Sequence, residues 1–226
     1  MPTLVIANKL YSSWSLRPWI LMKAFGLPFD EVVLPLDTPE FRTEVARYSP
    51  AGRVPVLVDG DVTVWDSLAI AEYLAETHPD HAIWPRDSAA RALARAISAE
   101  MHSGFQGLRS ACPMNLGKRF APRDRGEAAA RDVERFTAII RDARERFGAD
   151  GPFLFGAFSA ADAMYAPMAT RLDTYSISVD PVSQAYIHAV LDHPAFRQWR
   201  DAALAETWIV DHDEVDEEPV EIYRAA

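Results

Sequence analysis

Cysteine is nearly missing from this 226-residue chain, with Cys112 the only one. A single cysteine excludes an intrachain disulfide framework and any Cys-x-x-Cys redox or zinc cluster. Basic excess is missing as well. Lys and Arg number 23 against 33 Asp and Glu, a formal charge of −10 at pH 7. That balance argues against general affinity for nucleic acid or an anionic membrane, since both select a basic face. No apolar stretch approaches the ~20 residues of a membrane span. The first fourteen residues lack the basic segment and apolar run of a secretory signal. These absences lead us to expect a reduced, cytoplasmic protein. No metal site is expected either, because His102 follows Glu100 without ligand spacing and His78 and His81 lie in a connector.

What is present falls into two blocks. Thr3–Ala7 is a short apolar run of strand length. Residues 15–25 read as a helix, with Leu16, Trp19, Ile20, Lys23 and Ala24 at helical spacing, stopped by Gly26 and Pro28. Residues 29–34 read as a second strand. Pro39 opens a helical stretch over 38–48. Residues 54–59 and Val62–Val64 read as strands joined by Gly60-Asp61, and 66–77 as a third helix. From Ala82 onward the pattern is helical, over 87–111, 124–147, 160–172, 182–191 and 194–206, separated by Pro- and Gly-bearing turns. A β-α-β-α-β-β-α block followed by helices predicts two domains, an α/β unit at 1–81 and an all-α unit at 87–226.

Three short segments of the first block carry chemistry. Ser12, Ser13 and Ser15 crowd the junction between the first strand and first helix. Backbone N–H groups are unpaired there and the helix dipole is positive. A thiolate at such a place is stabilised by a hydroxyl donor and the helix end, which lowers its pKa. Serines before helices also serve simply as caps. Val54-Pro55 precedes a strand, and a cis bond there would turn the Val54 N–H and C=O outward toward an extended peptide. Asp66 and Ser67 stand at another helix N-terminus, where backbone N–H groups and a hydroxyl can take an α-carboxylate, or simply cap the helix.

Together these segments resemble the N-terminal domain of glutathione transferases, and the resemblance extends from Thr3 to Glu206. It implies a thioredoxin-like βαβαββα domain followed by the family's all-helical domain. The Ser-Ser-Trp-Ser-x-Arg stretch is most similar to the zeta class and related bacterial branches, whose pattern is Ser-Ser-Cys-Ser-x-Arg. On that resemblance Ser12 activates the glutathione sulfur with Ser13 beside it, and Val54-Pro55 pairs with the cysteinyl backbone. Asp66 and Ser67 hold the γ-glutamyl end, and Trp14 and Arg17 border the tripeptide. Arg53 and Lys9 are candidates for its glycyl carboxylate, Arg17 another. Trp14 departs from the pattern, which weakens any specific link to zeta-type isomerisation. Ser159 and Asp162 match the family's structural Ser-x-x-Asp box.

The resemblance implies glutathione as co-substrate, a small-molecule electrophile, a homodimer and a role in detoxification. The leading expectation is a glutathione S-transferase. The alternatives are a glutathione-dependent isomerase of the maleylacetoacetate type, a disulfide or peroxide reductase, and a non-catalytic interaction protein of the same fold. Met114, Asn115 and Leu116 either line the electrophile pocket or form an ordinary loop after a helix. The basic group Lys118, Arg119 and Arg123 and the acidic run 211–218 are both expected to be solvated.

Overall fold

The computed structural model describes residues 1–224. The last two residues of the unit expected at 87–226 lie outside the described residues. Four strands, β1 (Thr3–Ala7), β2 (Asp30–Leu34), β3 (Val56–Asp59) and β4 (Val62–Val64), form one sheet in the order β2-β1-β3-β4. β1 runs parallel to β2 and antiparallel to β3, so that Val5 lies between Val32 and Val56. Side chains alternate across a strand. Leu4, Ile6 and Leu57 therefore enter the main core, while Val5 and Val56 join Leu34 and Val45 on the opposite face.

Three helices accompany the sheet: α1 (Ser13–Ala24), α2 (Phe41–Val45) and α3 (Ser67–Thr77). The helical part holds α4 (Ser88–Ser103), α5 (Gln106–Ala111), α6 (Glu127–Phe147), α7 (Ala160–Thr174), α8 (Pro181–Asp192) and α9 (Pro194–Leu204). Nine of twelve residues of α1 and fourteen of fifteen of α7 are buried. A helix covered on every side belongs to the core, and α1 and α7 pack on each other to join the sheet to the helical part.

Several expectations needed correction. The helix expected over 87–111 breaks at Gly104-Phe105, where Phe105 adopts φ 61° and the chain turns into α5. The stretch expected over 38–48 shortens to α2. The helical part is not purely helical, since β5 (Lys118–Arg119) pairs antiparallel with β6 (Glu221–Ile222). The acidic run is solvated only in part, at Asp211, Asp216 and Glu218. Glu214 accepts from Lys118, and Glu217 pairs with Arg123 and Arg125. Each charged group was expected in water because its partner lies about a hundred residues away.

Candidate functional site

The site begins at the N-terminus of α1. Ser12 is its N-cap, and its Oγ accepts from the Ser15 amide at 3.4 Å. The same Oγ bonds the Ser15 hydroxyl at 2.8 Å, and Ser15 Oγ in turn accepts from the Ala7 amide at 3.0 Å. Ser12 is thus fixed to the end of β1 through Ser15. No acidic residue occupies the first turn of α1, so the positive end of its dipole is not neutralised from within.

Ser12, Ser13 and Trp14 line a cavity of about 440 Å³ between the sheet and the helical part. Arg53 and Val54 form another side, and the Val54-Pro55 bond is cis. Gln106, Arg109 and Ser110 of α5 and Arg171 of α7 close it from the helical part. Asp66 and Ser67 stand apart from this cavity, at the start of α3. Asp66 caps α3 through the Leu68 amide at 3.1 Å, and its other oxygen lies 3.1 Å from His102 Nε2. The Ser67 hydroxyl is buried without a partner.

Two cations expected at the tripeptide lie elsewhere. Lys9 is buried against Glu31 and above the Trp199 ring, so its charge is spent inside the fold. Arg17 is buried behind Trp14, its guanidinium 4.1 Å from the ring centre, with Nε and Nη1 lacking partners. Arg53 remains exposed at the cavity edge. Met114, Asn115 and Leu116 do not line the cavity; Asn115 instead donates to Glu214. Cys112 is buried, and burial pushes its thiol up to about 11. That thiol is not a nucleophile at neutral pH.

Sequence reasoning missed Arg109 and Arg171. The Arg109 guanidinium also lies over the Trp14 ring, 4.6 Å from its centre, and its Nη1 is buried without a partner. Arg171 donates to the carbonyls of Cys112 and Pro167 and to Ser13 Oγ at 3.3 Å. Burial, reinforced by the neighbouring guanidiniums, pulls Arg17 down to about 9 and Arg171 to about 10. Both stay protonated at neutral pH. A lone arginine in the apolar helix α7 was a readable signal for Arg171, because a buried charge needs a reason. Arg109 offered none, since the unrecognised break before α5 hid the face it occupies.

Among the described residues, no group of three or more His, Cys, Asp or Glu is placed to hold a metal, and no helix is long and apolar enough to cross a membrane.

A sheet-and-helix unit with a serine-capped first helix, a cis proline before its third strand and a helical partner defines a class. Residues 11–77 match the glutathione S-transferase N-terminal domain and residues 126–202 the glutathione S-transferase C-terminal domain, together well over half of the chain. The chain belongs to the glutathione S-transferase family. It is 40% identical over 104 residues to a probable maleylacetoacetate isomerase of Caenorhabditis elegans, covering 44% of this chain and 48% of that protein. It is 30% identical over 141 residues to a zeta-class glutathione S-transferase of Euphorbia esula, covering 62% and 63%. The chain thus spans about half to under two thirds of these relatives' length. Among solved structures, a Burkholderia glutathione transferase homologue with bound glutathione superposes with a TM-score of 0.68 at 25% identity, covering 91% of this chain and 99% of that one. A zeta-class bacterial maleyl pyruvate isomerase gives 0.69 at 21% identity, covering 91% and 100%, a likeness of fold.

Proposed function

We propose that this chain is a cytoplasmic, homodimeric glutathione S-transferase whose second substrate carries a carboxylate. The observation that carries the reading is the pair of guanidiniums, Arg109 and Arg171, on the cavity wall beside Ser12 and Ser13. With Arg53 at the edge they make the cavity cationic in a chain of net charge −10. Guanidiniums on a cavity wall hold an anion with charge-assisted bonds.

The proposed division of labour follows the two units at 1–81 and 87–226. Asp66 and Ser67, at the start of α3, take the γ-glutamyl end of glutathione. Val54, beside Pro55, pairs with the cysteinyl backbone, and Arg53 receives the glycyl carboxylate. The Ser12 hydroxyl turns from Ser15 to the sulfur and holds it as a thiolate, aided by Ser13 and the start of α1. Two pKa units of such help correspond to ~2.7 kcal/mol. The thiolate attacks an electrophilic carbon, a C–S bond forms, and the leaving group departs with its electron pair. Trp14, Arg109 and Arg171 border the electrophile. Removal of reactive electrophiles, a detoxifying role, is the use this chemistry serves.

A second reading uses the same groups. Addition of the thiolate to a cis double bond conjugated with a carbonyl yields an enolate; rotation and loss of the thiolate return the trans isomer. The arginines favour it, because an unsaturated acid needs anion donors, and the worm relative is named for such an isomerisation.

Calorimetric titration with glutathione, then turnover of neutral aryl halides and of unsaturated carboxylic acids, tests both readings. Binding and turnover are expected, with Arg109→Gln raising KM about tenfold for acids and little for neutral substrates, as for loss of one charged hydrogen bond. Isomerisation without consumption of glutathione selects the second reading. No heat with millimolar glutathione sinks both.

A further inference from the structure

After α9 the chain does not leave the molecule but straps across it. Glu206 accepts from the Lys9 and Leu10 amides at 2.8 and 3.1 Å. Glu214 accepts from the Tyr11 hydroxyl and Lys118 at 2.6 Å each, and from Asn115 at 3.1 Å. Glu217 takes both terminal nitrogens of Arg125, and β6 closes on β5. Between the first two anchors runs the 3-10 turn Asp211–Asp213, which puts His212 and Asp213 into the wall of the cavity that holds Arg109 and Arg171. His212 Nδ1 meets Asp37 Oδ2 at 2.8 Å, tying the turn to the loop after β2, and its Nε2 lies 3.7 Å from Asp213 Oδ2.

Asp213 takes no part in these anchors. Among the described residues it is the only carboxylate lining the cavity, against the guanidiniums of Arg53, Arg109 and Arg171. Its side chain forms no hydrogen bond to any of the three, and Arg109 Nη1 stays without a partner. A carboxylate whose one close partner is His212, in a cavity of arginines, lowers the local positive charge without occupying the arginine donors.

We propose that Asp213 is a specificity-determining residue of the second-substrate site: a built-in counter-ion that competes with the anionic groups of an incoming molecule and selects against the more highly charged. The inference rests on the reading that the second substrate is a carboxylate. A monoanion replaces the field of Asp213 at the arginines, whereas a dianion must also sit beside it. Charge repulsion in a partly buried site falls harder on the dianion. The strap fixes the carboxylate there, since its glutamate anchors on either side hold the turn against the cavity.

The experiment is calorimetric titration of the whole protein with succinate, a dicarboxylate without a reactive double bond, and with its monomethyl ester. Asp213→Asn is expected to tighten succinate about tenfold and the ester by less than about threefold, by the removal of one nearby like charge. Asp213→Ala serves as a second variant, and melting curves of both report folding. Arg109→Gln is expected to weaken both ligands. Equal effects on succinate and ester, a weaker succinate complex in the Asn variant, or no binding of succinate by any form overturns the proposal. A protein that binds succinate as described but ignores glutathione refutes the transferase reading and leaves the role of Asp213 standing.

Discussion

α1 and α7 begin with the same device and spend it differently. Each starts after a serine N-cap, contains an interior proline and runs through the core against the other. In α7 the third helical residue is Asp162, whose carboxylate accepts from the Ser159 amide at 2.8 Å, the Ser159 hydroxyl at 2.9 Å and the Leu154 amide at 3.0 Å. The donors are used up and the helix dipole meets a carboxylate, even though burial pushes Asp162 up to about 6. In α1 the third helical residue is Ser15, which brings no charge. That start keeps its dipole, a hydroxyl that can change partner, and an open cavity. One acidic residue separates a joint that holds the fold from one that can receive an anion.

The largest expected effect breaks the comparison on its reactive side. Ser12→Ala removes the hydroxyl and is expected to lower kcat/KM about 10²–10³-fold, as loss of one aligned donor does elsewhere. Stability should fall by only ~1 kcal/mol, the worth of an N-cap. Turnover and melting curves on one preparation check the pair; wild-type turnover, or a collapse in stability, would erase the distinction. On the structural side, Asp162→Ser gives α7 the arrangement of α1. The Leu154 amide then loses its buried acceptor, and the cost is expected at ~2–3 kcal/mol, or roughly 4–12 °C in Tm for a chain of this size. Glutathione binding below the melting point should be unchanged, which calorimetry can report.

What could be read in advance follows the same line. The caps Ser12 and Ser159 and the box partner Asp162 were legible because a cap acts over three residues of chain, and the apolar run Thr3–Ala7 is likewise local. The Val54-Pro55 step and the Asp66 cap of α3 are also features of adjacent residues. Arg109 was not legible, because it reaches the cavity only through the turn into α5 at Phe105, which no residue but Gly104 announces; the arginine of α7 announced its burial but not its place beside Ser13. Lys9 misled for the opposite reason. It lies near Ser12 in sequence, yet Glu31 of the neighbouring strand claims its charge. The strap was the largest surprise, since its glutamates and the arginines they meet each read as ordinary solvated charge until the fold brought them together.

A third helix start sharpens the comparison at its smallest scale. α9 is capped by neither a hydroxyl nor a carboxylate but by His193, whose Nδ1 accepts from the Ala195 amide at 3.2 Å. The ring packs 4.6 Å from that of Phe158, and burial lowers its pKa below the ordinary value of 6.5. The fold thus prefers the neutral imidazole, which alone leaves Nδ1 free to accept, whereas the unfolded chain takes up its proton at the usual pH. The contribution of this cap is complete above the ordinary histidine pKa and is lost as pH falls through it toward the lowered value in the fold. Urea unfolding at pH 7.5 and 5.5 is expected to show the acid sample weaker. His193→Asn retains a capping acceptor that does not titrate, so the drop should shrink in the variant. An equal drop in both proteins would mean that the imidazole caps α9 without coupling its stability to pH.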